Sequence, residues 1–201
     1  AHALIMAMGI SRNKLNIAGE KHLVGKGVSY CVDCDGPFFK GEAVAVVGCG
    51  GAAGGAALTM IFYASEVHLV CDALDVETVL AEKLRQSDIL LHEGRTVAQI
   101  QGSDEVSGLV LDNGDELSVT GVFIELGAKG AVDFAGKLGI LLDDTMKYNS
   151  VNKKQETNLP GVYAAGDICG PPWQVAKSVG EGCTAGIEAA AYAAKRKSEN
   201  G

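Results

Sequence analysis

Apolar and polar residues follow one another along the chain in runs whose lengths predict alternating strands and helices. Short continuous apolar runs are typical of parallel strands buried on both faces, and longer Ala- and Leu-rich runs are typical of helices. The predicted strands are residues 3–8, 42–48, 67–70, 123–126 and 162–165. The predicted helices are residues 52–63, 74–86 and 174–195, and the glycines at 180 and 182 are points where the last one can break.

The order of these elements predicts an α/β fold. The strand at 42–48, the glycine turn after it, the helix at 52–63 and the strand at 67–70 make a βαβ unit. From residue 89 to residue 122 the runs shorten to strand length, and Asp112-Asn113-Gly114-Asp115 is a strong hairpin turn. We therefore expect a Rossmann-like, three-layer central domain of the dinucleotide-binding type.

Composition and charge narrow the class of protein. The 201 residues are 47% hydrophobic, which suits a packed globular protein. The net charge of −8 and the absence of a basic patch argue against nucleic acid as a partner. The opening apolar run is too short to span a bilayer, and no basic flank marks a signal peptide. Six cysteines are sparse for this length, so we expect a reducing, cytoplasmic environment and no membrane partner.

The strongest chemical signal is the cysteine pair Cys31-Val32-Asp33-Cys34. With two residues between them, the two cysteines can form a disulfide or can bind one metal ion together. A structural zinc would need two more ligands, and the four histidines are scattered without ligand spacing, so we expect no metal site. Reversible disulfide exchange is the favoured role, ahead of two ordinary buried thiols. Asp35 is either the proton donor that such exchange requires or a solvated turn residue.

A second signal is the glycine loop Gly48-Cys49-Gly50-Gly51-Ala52-Ala53, which matches G-x-G-x-x-A between a strand and a helix. In that context Gly48, Gly50, Gly51 and Ala53 form a candidate pyridine-nucleotide site, because glycines let the backbone approach a pyrophosphate. Gly54 and Gly55 count against the interpretation, since each costs a helix about 1 kcal/mol relative to alanine.

The segment after the next strand is acidic, with Asp72, Asp75 and Glu77 and no arginine. Asp72 lies roughly 20 residues beyond the loop, where an acidic residue binds the ribose of NAD. Three interpretations remain open: the loop is an NADH site, it is a relic that no longer binds a nucleotide, or Asp72 is a solvated loop acid. NADPH is disfavoured in each case.

Three motifs in order resemble the low-molecular-weight thioredoxin reductases, and the resemblance covers nearly the whole chain. They are the segment from Gly25 to Gly36 around the cysteine pair, the strand from Val44 to Gly48, and the segment from Gly161 to Asp167. The resemblance implies that Cys34 lies beside a flavin and receives its electrons. It also implies that Cys31 attacks the disulfide of a thioredoxin-like partner and that Asp35 supplies a proton.

The resemblance further implies bound FAD and an arrangement of domains. Gly166 and Asp167 would hold the FAD ribityl and phosphate region, and Gln174, Val175 and Ala176 would approach the flavin ring. Residues 1–28 would end the first part of the FAD domain, residues 29–155 would form the central domain, and residues 156–201 would form the C-terminal part of a second, FAD-binding Rossmann-like domain. Members of this family commonly form homodimers.

The chain also departs from the family. It lacks the opening glycine-rich segment of the FAD domain, and Cys71, Asp72, Ala73 and Glu77 replace the basic residues that hold NADPH. NADH, a ferredoxin or a deazaflavin is therefore expected as electron donor in place of NADPH. The alternative is a truncated, non-catalytic module that binds a nucleotide or a protein without turnover. Cys49, Cys71 and Cys169 are interpreted as packing thiols.

Overall fold

The computed structural model, which describes residues 1–129 and 132–199, divides into two compact units. The central unit comprises residues 12–127, and the split unit comprises residues 1–11 together with the described residues from 128 onward. The predicted domain boundaries lie later in the chain, at 28–29 and 155–156. Packing explains the difference at the first boundary, because Leu23 lies in the core of the central unit and Leu15 and Ile17 pack against that core. At the second, Leu142 and Val151 pack in the split unit.

Most regular elements are short. The strands, in chain order, are β1 (Leu4–Met6), β2 (Ser11–Arg12), β3 (Val28–Ser29), β4 (Ala43–Val47), β5 (Glu66–Cys71), β6 (Leu90–Glu93), β7 (Val97–Gln101), β8 (Gly108–Leu111), β9 (Glu116–Leu117), β10 (Gly121–Ile124), β11 (Ala128–Lys129) and β12 (Val162–Ala164). The helices are α1 (Glu20–Leu23), α2 (Val32–Asp35), α3 (Gly51–Met60), α4 (Thr78–Gln86), α5 (Val132–Leu138) and α6 (Val175–Glu199). Two 3₁₀ turns cover Gly36–Phe39 and Asp167–Cys169.

The central unit is built on a five-stranded parallel sheet in the order β3-β10-β4-β5-β6. Alternate residues of β4 face opposite sides of this sheet. Val44 and Val46 pack against α3 and α4, and Ala45 and Val47 pack against the antiparallel sheet β7-β8-β9. Because both faces of β4 are buried, its sequence is a continuous apolar run. The predicted α/β, Rossmann-like, three-layer fold is confirmed.

Element boundaries differ from the prediction where long-range contacts intervene. The hairpin turn at residues 112–115 is confirmed and joins β8 to β9. The second predicted helix starts late, at Thr78, because residues 72–77 are drawn across the glycine loop by a hydrogen bond from the Asp75 amide to the Cys49 carbonyl oxygen, 2.8 Å long. The strand predicted at 123–126 is β10, two residues earlier.

The split unit pairs β1 with β12 in parallel and packs α6 onto them. The predicted buried strand at 3–8 is shorter, and Leu4 remains 47% exposed, since β12 is the one strand that pairs with β1 in the described part of the chain. Helix α6 runs unbroken through Gly180 and Gly182, held on the sheet by the buried Ala185 and Ala189. Within the described residues, no helix is long and apolar enough to cross a bilayer.

Candidate functional site

The predicted cysteine pair closes a disulfide just after β3. Cys31 has extended backbone and precedes the first turn of α2, and the Cα atoms of Cys31 and Cys34 are 5.3 Å apart. The Cys34 amide donates a hydrogen bond to the Cys31 Sγ at 3.2 Å. The short helix therefore folds the two sulfur atoms onto one another.

A buried serine ties the disulfide to the adjacent carboxylate. The Ser29 hydroxyl donates to Asp35 Oδ2 at 2.6 Å and accepts from the Cys31 amide at 3.1 Å. The Asp35 amide donates in turn to the Cys31 carbonyl oxygen at 3.1 Å. The structure thus brings Cys31, Cys34 and Asp35 together, and it adds Ser29, which the sequence analysis did not single out. A hydroxyl two residues before a CxxC pair is a signal that could have found it.

The disulfide lies at the surface of the central unit. Cys34 is exposed and Cys31 is half-buried, whereas Val32 between them is buried. Phe38, four residues beyond Cys34, is 82% exposed. With Phe39 it borders a cavity of about 370 Å³, whose other lining residues are Gly25, Lys26, Gly27, Glu42, Glu105, Val106 and Thr120. An apolar ring therefore projects from the surface close to the cysteine pair.

A second carboxyl group reaches the same edge of the sheet from a distant part of the chain. Glu125 follows β10, the strand between β3, which leads to the disulfide, and β4, which leads to the glycine loop. Its side chain is only 10% exposed and lies 3.8 Å from the Arg12 guanidinium. Burial raises the pKa of Glu125, and the nearby Arg12 guanidinium and Val32 amide oppose that rise. Nothing local in the sequence marks Glu125, so it is absent from the predicted site residues.

The glycine loop joins β4 to α3 as predicted. Gly48 has φ of 153°, and a side chain there would collide with the Glu125 carbonyl oxygen and with Ala53. Gly50 precedes the first turn of α3, Gly51 begins the helix, and Ala53 is buried in the core. Gly48 is therefore required by close packing of the protein itself. This requirement holds whether or not a nucleotide binds.

Acidic residues lie across this loop. Asp75 pairs with Gly50 through a short bridge, and a cavity of about 370 Å³ is lined by Gly51, Asp75, Val76, Glu77, Thr78 and Leu80. Asp72 is exposed on the turn after β5, outside this lining. Arg95 reaches this edge from the loop after β6. Its amide donates a hydrogen bond to the Cys71 carbonyl oxygen at 3.1 Å, and its guanidinium donates one to the Gly94 carbonyl oxygen. Of the predicted nucleotide-binding residues, Gly51 alone lines this cavity, and Gly48, Gly50, Ala53 and Asp72 lie outside the lining.

The residues predicted for FAD meet at the start of α6 in the split unit. Asp167, Gln174 and Val175 line a cavity of about 340 Å³ together with Trp173, Ser178 and Val179. The Ser178 hydroxyl donates to Asp167 Oδ1 at 3.4 Å. Gly166 and Ala176 lie outside the lining, Ala176 being exposed on the first turn of α6.

A carboxylate and an ammonium group fix the Gly-Asp turn beside that cavity. Glu181 Oε2 accepts from the Gly166 amide at 2.8 Å and from Lys177 Nζ at 2.9 Å. Lys177 Nζ also donates to the Gly166 carbonyl oxygen at 2.9 Å. The Gly166 amide is therefore occupied by the protein's own carboxylate. The role of Gly166 toward FAD stays a prediction.

Burial raises the pKa of two further cysteines, one in each unit. Burial raises the pKa of Cys71 to about 11, with smaller contributions from Cys49, Glu93 and Asp72. Burial likewise raises the pKa of Cys169 to about 12, and Cys169 packs against the core of the split unit. Within the described ranges, no group of three or more His, Cys, Asp or Glu side chains is arranged to hold a metal ion.

Comparisons with known proteins agree with this geometry. Residues 1–195 match the family model described as pyridine nucleotide-disulphide oxidoreductase. A thioredoxin reductase of Escherichia coli O157:H7 is 34% identical, and the alignment covers 94% of this chain and 64% of that protein. The chain therefore spans less than two thirds of that relative's length.

Solved structures are similar as well. The thioredoxin reductase of Streptococcus pyogenes superposes with a TM-score of 0.87 and 28% identity, over 94% of this chain and 65% of that one. A ferredoxin-flavin thioredoxin reductase from Clostridium acetobutylicum superposes with a TM-score of 0.51 and 32% identity. That alignment covers 97% of this chain and 63% of the other.

Proposed function

The chain belongs to the thioredoxin-reductase-like pyridine nucleotide-disulphide oxidoreductases, and on that premise we propose that it reduces the disulfide of a thioredoxin-like protein through Cys31 and Cys34. One observation carries the proposal: a surface disulfide is tied by Ser29 to a carboxylate. The exposed ring of Phe38 beside it supports a protein as the substrate, since exposed aromatic residues favour protein contacts.

The proposed reaction is thiol–disulfide exchange. In the reduced pair, the Cys31 thiolate attacks the partner's disulfide, forms a mixed disulfide and releases one partner thiolate. Cys34 then attacks the Cys31 sulfur atom, which releases the second partner sulfur and restores the Cys31–Cys34 bond. Two electrons pass to the partner, and its two thiolates take up two protons. Asp35, held by Ser29, is the proposed source of a proton at this edge.

The residues at the start of α6 fit part of an FAD molecule. Val175 is 81% exposed and Val179 is also exposed at the mouth of a cavity that Asp167 and Gln174 share, so an apolar ring and hydrogen-bonding groups can both be accommodated. The first amides of a 25-residue helix point toward the same region, and they favour negative charge. Bound FAD would supply two-electron redox chemistry. Asp167, Gln174 and Val175, which line that cavity, would hold it.

For the electron donor we propose NADH, a ferredoxin or a deazaflavin in preference to NADPH. The cavity over the glycine loop is lined by Asp75 and Glu77, and neither lysine nor arginine lines it. Carboxylates repel the 2′-phosphate that distinguishes NADPH from NADH. The similar C. acetobutylicum protein is a ferredoxin-flavin thioredoxin reductase, which supports a donor other than NADPH here.

Exchange can be tested without the donor. The chain is reduced with a dithiol, freed of the reagent and mixed with an oxidised thioredoxin, and the thiols gained by the thioredoxin are counted by mass spectrometry. We expect one disulfide reduced per chain, no transfer from the Cys31→Ser, Cys34→Ser double variant, and full transfer from a Cys183→Ser control, because Cys183 is exposed on α6. Transfer by the double variant at the wild-type level would overturn the proposal.

The cofactor and the donor have separate readouts. A visible absorption spectrum after incubation with FAD and desalting tests flavin binding, and Asp167→Ala should weaken retention of the flavin. Any flavin-loaded protein is then mixed without oxygen with NADH, NADPH or reduced ferredoxin. Faster bleaching by NADPH than by NADH would contradict the inference drawn from Asp75 and Glu77.

A further inference from the structure

Glu125 lies between the two segments on which the proposed function depends, yet that function gives it no role. In the parallel sheet, β10 has β3 on one side and β4 on the other. The residue that follows β10 therefore emerges between the disulfide segment and the glycine loop. The Glu125 amide donates to the Val47 carbonyl oxygen at 2.8 Å, and this bond fixes the Glu125 backbone at the end of the sheet.

The Glu125 side chain points back to the disulfide helix. The parallel register of β3 and β10, with Phe123 opposite Ser29, places Glu125 level with Cys31, and the amide of Val32 lies near enough to the carboxyl group to favour its charged form. The charged groups that act on it are Arg12, from β2, and Asp33, from α2. Asp35 also lies on α2 but is engaged by Ser29. A mostly buried carboxyl group thus lies beside the segment that carries the cysteine pair.

Reduction changes the charge at this position. Breaking the Cys31–Cys34 bond adds two electrons, and the product is either a thiol and a thiolate, with one proton taken up, or two thiols, with two protons taken up. A carboxylate beside the pair opposes formation of the thiolate, and a neutral carboxyl group does not. The protonation of Glu125 and that of the reduced cysteines are therefore coupled.

We propose that Glu125 acts on the cysteine pair through its charge: from the end of β10, beside the start of α2, it sets the pH at which the reduced cysteines ionise. The inference rests on the proposed function only in naming these cysteines as the reactive pair. The physical basis is low exposure of the carboxyl group, since a charge acts more strongly where water is excluded. Burial also raises the pKa of Glu125, so its proton is retained closer to the pH at which thiols ionise.

The test compares two acid-to-amide substitutions in the full chain. Glu125→Gln keeps the size of the side chain but removes its charge, and Asp33→Asn removes an exposed charge from α2. Each dithiol-reduced protein is alkylated with iodoacetamide between pH 5 and 10, and the Cys31–Cys34 peptide is followed by mass spectrometry. We expect the midpoint of alkylation to move down by about 0.5–1 pH unit in Glu125→Gln and by less than half of that in Asp33→Asn.

An unchanged midpoint in Glu125→Gln, or a shift no larger than in Asp33→Asn, would overturn the inference, because either result means that Glu125 exerts no special influence. A measurement on the wild type covers the case in which Glu125→Gln fails to fold. Carbon-13 NMR of the Glu125 carboxyl group should show it titrating at higher pH in the dithiol form than in the disulfide form. Identical titrations in the two forms would also overturn the inference. Neither readout involves flavin or thioredoxin, so each is independent of the exchange assay.

Discussion

Two strand-turn-helix segments leave the same edge of the central sheet, and they differ in what the protein places over the turn. At the β3–α2 segment, Ser29 and Asp35 bond to the backbone of the cysteines and leave Cys34 exposed. At the β4–α3 segment, the protein's own residues 72–77 lie across the glycine loop, and Asp75 bonds to Cys49. One turn therefore presents a reactive group, and the other is largely occupied by the chain itself.

The difference shows that a shared backbone layout does not fix chemistry. Both turns place helix amides at the carboxyl edge of a parallel sheet, which is the general location of binding sites in such folds. The disulfide segment is held by hydrogen bonds that join Ser29 and Asp35 to the Cys31 backbone. The glycine loop is bordered by carboxylates, which disfavour a phosphate. Side chains that arrive from other parts of the chain decide what each turn can do.

Single cysteine substitutions should have the largest effect on the contrast between the two turns. We expect each one either to trap the mixed disulfide with thioredoxin or to abolish it. In the proposed order of attack, Cys34→Ser retains the attacking Cys31 and should trap a stable mixed disulfide with thioredoxin. Cys31→Ser should trap none. Non-reducing gel electrophoresis followed by mass spectrometry measures both.

The experiment also tests whether exposure decides which cysteine attacks, because Cys34 is the more exposed residue in the disulfide form. A covalent adduct that forms through Cys34 in the Cys31→Ser protein, and not through Cys31, would reverse the two roles. The proposed function would survive such a reversal, whereas adducts in neither variant would contradict it.

The cysteine beside the glycine loop should be chemically inert at a pH where exposed cysteines react. Burial raises the pKa of Cys71 to about 11, and the side chain is 2% exposed. At pH 8 its thiolate fraction is on the order of 100-fold below that of an ordinary thiol. We therefore expect iodoacetamide to label Cys71 at least about 100-fold more slowly than the exposed Cys183 in the native, dithiol-treated chain.

Peptide mapping at timed intervals provides the measurement, and denatured protein, in which all sites react alike, is the control. Comparable native rates at the two residues would mean that this edge opens readily. In that event the two turns would differ in how often each one opens, and not in a fixed structure.

Removing the Ser29 hydroxyl should destabilise the disulfide segment. Ser29 is buried and bonds both to Asp35 and to the Cys31 amide, so Ser29→Ala leaves two polar groups without that partner. The expected loss is about 1–3 kcal/mol in the free energy of unfolding, measured by urea titration. Ser65→Ala, at an exposed serine in the same unit, should change it by no more than about 0.5 kcal/mol. Equal effects of the two substitutions would show that the Ser29 network contributes nothing to stability.

The sequence alone predicts the elements that depend on local pattern. Strands β4 and β5 and helix α3 follow from uninterrupted apolar runs, and the turn between β8 and β9 follows from Asn113-Gly114. The cysteine pair, the glycine loop and the Gly-Asp turn are equally visible, because each motif is contiguous. These features require no knowledge of which strands are neighbours.

Features set by tertiary contacts escape the sequence. Glu125 and Arg95 reach the carboxyl edge of the sheet only because of the strand order, and neither carries a local signal. The start of α4 is delayed by a bond to Cys49, a residue in a different turn. Continuity of α6 through its glycines depends on packing that offsets their cost. In each case the deciding partner lies far away along the chain.

The smallest expected effect comes from two adjacent glycines in α3, where the packing of side chains can be compared with helix propensity. A Cβ atom on Gly54 would lie 3.1 Å from Leu84 Cδ1 and 3.2 Å from Leu80 Cδ2, so Gly54 permits the close approach of α3 and α4. A Cβ atom on Gly55 would meet nothing within 4 Å. Helix propensity alone favours alanine by about 1 kcal/mol at both positions.

Gly55→Ala should therefore stabilise the chain by about 0.5–1 kcal/mol, and Gly54→Ala should gain less or lose stability, because the leucine side chains must move to admit the methyl group. Paired urea titrations of the two variants measure the difference, and each variant serves as the control for the other. An equal gain at both positions would show that α3 and α4 have room to adjust. In that case Gly54 would be explained by neither packing nor helix formation.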